Sequence, residues 1–188
     1  MAPSEGTRCV CYCGDCQAFA RFLGRDGVLD AWGGTDIWQM SPGKLRLEIE
    51  GDALRCVRLS AEGMHRWYCG ECKTPLANTM TAIIPFVGVI HSFMDCPSRD
   101  ELFGPGHPVQ TDTAYGEGAP KQDGSAIFKV LLRTMGMVVG RKILGRGRVS
   151  PFFDPKSKAP KVTPQVLSPD ERRRLVPGFA GATSSPSS

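Results

Sequence analysis

The spacing of its eight cysteines constrains this 188-residue chain more than any other feature of the sequence. Four of them fall within eight residues: Cys9, Cys11, Cys13 and Cys16. Cys69 and Cys72 form a separate C-x-x-C pair, while Cys56 and Cys96 stand alone and are predicted to be small buried hydrophobic residues. The N-terminal residues contain no recognisable secretory or transit sequence, so we expect a cytoplasmic protein whose thiols stay reduced. The clustered cysteines are therefore interpreted as metal ligands or reactive thiols, not as disulfides.

Zinc is the metal that this cysteine spacing favours. It takes four tetrahedral protein ligands in a structural site, and three protein ligands with one open position in a catalytic site. Cys13, Cys16, Cys69 and Cys72 would make one closed four-cysteine site. Alternatively, Cys11, Cys13 and Cys16 would make a three-thiolate site that leaves the fourth position open. Both ligand sets are compatible with the sequence.

Residues 44–90 have a pattern typical of antiparallel β structure. Strands are predicted over residues 45–49, 54–59, 65–68 and within 76–90, with a turn over 50–52. The strand over 65–68 would deliver Cys69 and Cys72 on a tight turn. Residues 17–24 are predicted to form two helical turns that end at Gly24, so the cysteine cluster would lie at a helix N-terminus, where the helix dipole favours thiolate over thiol.

The C-terminal third differs from the rest of the chain in charge and in periodicity. Residues 1–126 contain 11 basic and 16 acidic residues, a net charge of −5, whereas residues 127–188 contain 12 and 3, a net charge of +9. A helix capped by Ser125 is predicted, with an apolar face expected to pack on the β domain and with Lys129 and Arg133 expected in water. That face consists of Phe128, Leu131, Leu132, Met135, Val138 and Val139. A second helix is predicted to start at Ser168 with a capping box to Glu171.

These patterns predict a zinc-binding β domain over residues 1–122, a basic helical extension over 123–177 and a disordered tail over 178–188. The longest apolar run, residues 82–90, contains a proline and a glycine and is far shorter than the roughly 20 residues that a membrane span needs. We therefore expect no transmembrane segment.

Two motifs together resemble the family of glutathione-dependent formaldehyde-activating enzymes and centromere protein V. The first is Cys11-Tyr12-Cys13-Gly14-Asp15-Cys16-Gln17, and the second runs from Ser60 through Trp67-Tyr68-Cys69-Gly70-Glu71-Cys72 to Leu76. The similarity covers about residues 8–90. Within that family the chain most resembles a bacterial subgroup known as domain of unknown function 6151, which Ser150-Pro151-Phe152-Phe153-Asp154 also resembles.

The resemblance implies a mainly β, Mss4-like zinc-binding folded sheet. It implies that Cys11, Cys13 and Cys16 match the family's catalytic zinc site, and that Cys69 and Cys72 match half of its structural site. The other half comes from an earlier C-x-C in the family, and only eight residues precede Cys9 here. The family's reaction joins formaldehyde and glutathione into S-hydroxymethylglutathione, which is a carbon-sulfur lyase reaction run in reverse.

Two functions therefore remain open at the level of sequence. The first is a zinc-dependent carbon-sulfur lyase that acts on a glutathione-type thiol adduct through the cysteine triplet. The alternative is a non-catalytic, zinc-stabilised module whose basic C-terminal third binds an anionic partner, either nucleic acid or anionic lipid. His65, His91 and His107 are scattered through the sequence, and none of them is identified as a general base.

Overall fold

A computed structural model of the chain describes residues 6–49, 52–93, 99–121, 123–143 and 150–176. These residues form eight strands and four α-helices, joined by loops and short 3₁₀ turns. The strands are Thr7–Cys11 (β1), Thr35–Met40 (β2), Leu54–Arg58 (β3), His65–Cys69 (β4), Pro75–Thr79 (β5), Val87–Ile90 (β6), His107–Val109 (β7) and Gln165–Val166 (β8). The helices are Gly14–Phe22 (α1), Arg99–Phe103 (α2), Gly124–Ile143 (α3) and Pro169–Leu175 (α4).

All eight strands belong to one sheet with the order β7-β1-β2-β6-β5-β4-β3-β8. The six inner strands pair antiparallel with their neighbours, whereas β7 pairs parallel with β1 and β8 pairs parallel with β3. The predicted antiparallel β structure is thus confirmed as the centre of the fold. The finer expectation of an Mss4-like arrangement stays a prediction.

The main core is a row of apolar side chains that crosses five neighbouring strands. In register, Cys56 faces Trp67, Trp67 faces Ala77, Ala77 faces Val89, and Val89 faces Trp38. All five residues are buried in one cluster. Directly opposed residues on neighbouring strands share a face of the sheet, so this row covers one face with continuous apolar surface. The prediction that Cys56 is a small buried hydrophobic residue is confirmed, whereas Cys96 lies outside the described residues.

The predicted strand over residues 45–49 is wrong, and β2 was missed. Leu45, Leu47 and Ile49 do pack against the main core, but their segment pairs with no strand. Alternation of apolar and polar residues shows only which side chains contact the core. It therefore indicated the buried face of this segment correctly, but it did not show whether the segment pairs with another strand. The predicted turn over 50–52 falls partly outside the described residues.

Several local predictions are confirmed. α1 is followed by Gly24 in a left-handed conformation with φ of 63°, which agrees with the predicted helix end. β3, β4, β5 and β6 occupy the predicted β regions. α4 begins with Ser168 as its N-cap, and Ser168 and Glu171 form the complete capping box.

The predicted packing of α3 is wrong for most of its apolar face. Phe128, Leu131, Leu132, Met135 and Val139 are exposed, and Val138 is only half-buried. The side that does pack centres on Val130, which is buried, and on Thr134, whose hydroxyl donates a hydrogen bond to Gln39 Oε1 at 2.5 Å. α3 is apolar on both sides, so its periodicity could not determine which side meets the sheet. Lys129 and Arg133 are exposed, as predicted.

Residues after 150 contribute to the same sheet and core as the N-terminal part of the chain. Phe152 is fully buried and stacks on Trp67 with ring centroids 4.8 Å apart, while Phe153 packs edge-on against the same indole. β8 then extends the sheet beside β3. The predicted division at residue 122 stays a prediction, and the predicted tail lies outside the described residues. Among the described helices, none combines the length and the apolar character that crossing a lipid bilayer requires.

Candidate metal centre

Three cysteines converge where β1 passes into α1. The sulfur atoms of Cys11, Cys13 and Cys16 all lie within 4.8 Å of one another, and the Cys11 and Cys13 sulfurs are 3.4 Å apart. Cys16 is buried, while Cys11 and Cys13 are partly exposed. The structure thus brings together the predicted triplet, with part of its surface open to solvent.

Each member of the triplet is held by regular structure. Cys11 is the last residue of β1, and Cys13 is the N-cap of α1, where its sulfur accepts a hydrogen bond from the Cys16 backbone N–H at 3.4 Å. Cys16 lies in the first turn of α1. A strand end followed directly by a helix cap fixes the backbone at all three positions, so the sulfurs are arranged by the fold before any ligand binds.

Hydrogen bonds to Tyr12 hold the short connection between Cys11 and Cys13. The Tyr12 backbone N–H donates to the Val109 carbonyl at 3.0 Å. The Tyr12 carbonyl accepts from the buried Gln17 side chain at 2.9 Å and from the Thr113 hydroxyl at 2.7 Å. This connection is therefore anchored by residues from α1 and from the segment after β7, which limits how far the sulfurs can move apart.

The donor set fits zinc. Three sulfur donors are soft ligands of the kind that zinc favours, and a tetrahedral ion with Zn–S bonds of about 2.3 Å needs sulfurs about 3.8 Å apart. The observed sulfur separations, from 3.4 Å to at most 4.8 Å, bracket that value. Within the ranges that the structure describes, no further histidine, cysteine or carboxylate joins this group. The triplet therefore offers three sulfur donors to a metal ion.

The surroundings of the three thiols shift their pKa values in different directions. Hydrogen bonds from Cys11, from Cys16 and from the Cys16 backbone N–H lower the pKa of the Cys13 thiol well below its ordinary value, and the nearby Arg66 acts in the same direction. The pKa of Cys11 is raised, because its thiol is the donor to Cys13 and because it is removed from water. Of the three thiols, Cys13 is thus the one whose surroundings favour the thiolate form.

A buried cation faces the inner side of the triplet. Arg66, on β4, is 3% exposed, and its Nη1 lies 4.0 Å from the Cys16 sulfur and 3.4 Å from Asn78 Oδ1. Its Nη2 lies 3.7 Å from a carboxylate oxygen of Asp15, whose other oxygen accepts a hydrogen bond from Arg172 at 2.8 Å. Sequence reasoning assigned no role to Arg66. Its position just before the aromatic residues that precede Cys69 was visible, but its contact with Cys16 depends on the fold.

Cys9 lies beside the triplet without joining it. Its side chain is 1% exposed, and its sulfur accepts a hydrogen bond from Gln39 Nε2 at 3.2 Å. Burial raises the pKa of the Cys9 thiol to about 12, so it is a protonated thiol at neutral pH. Val130 of α3 packs in the same apolar cluster as Cys9 and Cys16. α3 therefore lies over one side of the cysteine cluster.

Cys69 and Cys72 do not meet the triplet. Cys69 is the last residue of β4 and Cys72 lies in the turn that follows, where the Lys73 backbone N–H donates to the Cys69 carbonyl at 2.9 Å. Cys72 is exposed, and a hydrogen bond involving its sulfur and the Thr74 hydroxyl, together with one to Cys69, lowers the pKa of its thiol to about 7. The closed four-cysteine site is therefore wrong. The role of Cys69 and Cys72 as half of a structural site stays a prediction.

Two histidines are tied into the structure. The Nδ1 atom of His65 is 2.7 Å from the Met80 carbonyl, and its ring packs against Trp67 and Phe153. The Nδ1 atom of His91 is 3.2 Å from the Asp36 carbonyl. Both histidines therefore have structural partners.

The fold and the cluster define a β-sheet protein with a preformed three-thiol centre at a strand-to-helix junction. The chain belongs to the family of unknown function DUF6151, whose model matches residues 1–162. This match confirms the resemblance to domain of unknown function 6151 that the sequence motifs indicated. No curated protein and no solved structure matches the chain significantly.

Proposed function

We propose that the chain is a zinc protein that binds one zinc ion through Cys11, Cys13 and Cys16 and presents its open position to a small thiol such as glutathione. The observation that carries this proposal is the convergence of exactly three protein sulfurs without a fourth described ligand. Zinc bound there would act as a Lewis acid and would favour the thiolate form of a bound thiol at neutral pH.

The charge around the triplet supports this assignment. Three thiolates with one divalent ion have a net charge of −1, and the buried guanidinium of Arg66 offsets it from the inner side. Asp15 keeps that guanidinium in place and is itself held by Arg172. The site would therefore be close to neutral, with its partly exposed side at Cys11 and Cys13 left for the substrate.

The proposed reaction is addition of the thiol to formaldehyde. The sulfur forms a bond to the carbonyl carbon, the carbon-oxygen double bond becomes a single bond, and the carbonyl oxygen receives the proton that the thiol has lost. No oxidant or reductant is required. The similarity of the two cysteine motifs to glutathione-dependent formaldehyde-activating enzymes supports this choice of substrates, and a cytoplasmic location would keep the thiols reduced.

His107 is a candidate carrier of that proton. In the parallel pairing of β7 with β1, His107 lies opposite Cys9 and Val109 lies opposite Cys11. Residues two apart on a strand share a face of the sheet, and Val109 packs against the cysteine cluster. His107 is thus placed on the face of the sheet that holds the triplet.

Native mass spectrometry and an assay of formaldehyde and glutathione condensation test the proposal on one set of variants. We expect the protein as purified to contain zinc, Cys13→Ser to lose the triplet's ion and the activity, and Cys72→Ser to keep both. A protein without zinc, or one whose activity survives Cys13→Ser, would contradict the role of the triplet. A protein that contains zinc but does not catalyse the condensation would support the metal site and favour the non-catalytic alternative.

A further inference from the structure

The outer side of α3 is a continuous apolar stripe. Of the eleven large apolar side chains that are exposed among the described residues, six lie on this one helix. They are Phe128, Leu131, Leu132, Met135, Val139 and Ile143. They recur at steps of three and four residues, so they share one face that is about 22 Å long. Phe128 is 64% exposed and Leu132 is 62% exposed, and contiguous exposed apolar patches of this kind mark protein or membrane interaction sites.

The stripe is accessible because the opposite side of α3 is the side that meets the sheet. Val130 is buried against the cysteine cluster, and Thr134 is hydrogen-bonded to Gln39 of β2. The helix is thus held as a ridge on the protein surface with its apolar stripe facing outward.

Basic residues accompany the stripe, and acidic residues do not. The sequence of Gly124–Ile143 contains four basic residues and no aspartate or glutamate. Lys129 and Arg133 are exposed and lie one helical turn apart, next to Phe128 and Leu132. A helix with an apolar stripe beside cations is typical of segments that lie in the plane of an anionic lipid surface.

The charge pattern discriminates among possible occupants of this surface. A second copy of the chain would place the basic residues of two α3 helices near each other without any acidic residue on either helix. A nucleic acid would satisfy the cations but leave the apolar stripe in water. An anionic lipid surface satisfies both features, because its acyl chains accept the stripe and its phosphate groups accept Lys129 and Arg133.

We propose that α3 is a membrane-surface element that docks the protein on anionic lipid, with the stripe inserted below the headgroups and Lys129 and Arg133 at the phosphate level. This inference is independent of the zinc chemistry, because it uses the side of α3 that faces away from the cysteine cluster.

Co-sedimentation with vesicles tests the proposal on the full chain. The probes are vesicles of phosphatidylcholine alone and of equal parts phosphatidylcholine and phosphatidylglycerol, each at low and at high salt. We expect binding to the anionic vesicles that salt weakens. Leu132→Asp should weaken that binding by about tenfold or more, because one large apolar contact is lost and an anion is introduced. The pair Lys129→Gln with Arg133→Gln should weaken it by about thirtyfold and reduce its salt dependence.

Ile83→Asp is the matched control, since Ile83 is 69% exposed but lies outside α3. It should bind the anionic vesicles like the unmodified protein. All of the substituted residues are exposed, so thermal melts of the variants should stay close to that of the unmodified protein, and any unfolded variant would be identified by its melt.

Three results would overturn the proposal. The first is no binding to the anionic vesicles, and the second is equal weakening by Leu132→Asp and Ile83→Asp. The third is a dimer in size-exclusion chromatography with light scattering that Leu132→Asp converts to a monomer, which would identify a second copy as the occupant. If the first result is found, binding to an oligonucleotide that Leu132→Asp does not affect would assign α3 to nucleic acid.

Discussion

The guanidinium of Arg66 lies 4.0 Å from the sulfur of Cys16, although 50 residues separate them in the sequence. The contact joins the second cysteine motif to the first, because β4 contains both Arg66 and Cys69, and Cys72 lies in the turn after β4. The two motifs are thus linked by the guanidinium of Arg66 and the sulfur of Cys16. They do not share a site of four cysteine sulfurs.

Arg66→Gln should weaken zinc binding at the triplet by about tenfold to a hundredfold, since groups around metal ligands contribute on that order. Competition with a coloured zinc chelator measures the change. Arg66→Lys retains the charge and should recover part of the affinity. Arg55→Gln removes an exposed arginine of the same sheet and should leave zinc binding unchanged. Equal affinity in the Arg66→Gln and Arg55→Gln proteins would show that Arg66 has no electrostatic role at the site.

Cys9 and Cys11 should behave differently although only one residue separates them. Cys11→Ala should remove a ligand and lower the zinc content. Cys9→Ala should leave the zinc content unchanged, because the Cys9 sulfur accepts a hydrogen bond from Gln39 and lies outside the triplet. Zinc content after gel filtration is the measurement. Loss of zinc in Cys9→Ala with an unchanged thermal midpoint would mean that Cys9 is a ligand after all.

Phe152→Ala should destabilise the protein by about 3 to 5 kcal/mol, because it removes a fully buried aromatic side chain that stacks on Trp67. Denaturant unfolding measures this loss. Ile83→Ala, at an exposed position, should change the stability by less than about 0.5 kcal/mol. Similar small effects for both variants would show that residues after 150 fold separately from the sheet.

Stability should fall as the pH is lowered from about 7 towards 5. Burial lowers the pKa of His65 and of His91 below the ordinary histidine value. The unfolded chain therefore takes up protons at these residues at a higher pH than the folded chain, and stability is lost from the unfolded-state pKa downward. Thermal midpoints across this range are the measurement. His65→Gln should flatten the dependence, and an unchanged slope in that variant would exclude His65 as a source.

The sequence by itself determined the local elements whose cause is local. The glycine after α1 and the capping box of α4 act within one turn, so they could be identified without any knowledge of the fold. The cysteine triplet belongs to the same category, because a strand end, an N-cap and a first helical turn bring Cys11, Cys13 and Cys16 together within six residues. Membership of DUF6151 was also evident from the motifs.

Only the tertiary structure decided the features that depend on partners far apart in sequence. Alternation over residues 45–49 could not reveal that this segment packs on the core without a strand partner. From the sequence alone, the two C-x-x-C pairs could have bound one metal together. In the structure, Cys69 and Cys72 lie outside the triplet, and Arg66 of β4 contacts Cys16 instead. α3 is apolar on two sides, so its sequence alone could not predict which side packs on the sheet. The structure buries the side of Val130 and leaves the side of Leu132 in water. Each of these outcomes is set by competition among distant surfaces for the same core, and local sequence does not encode the result of that competition.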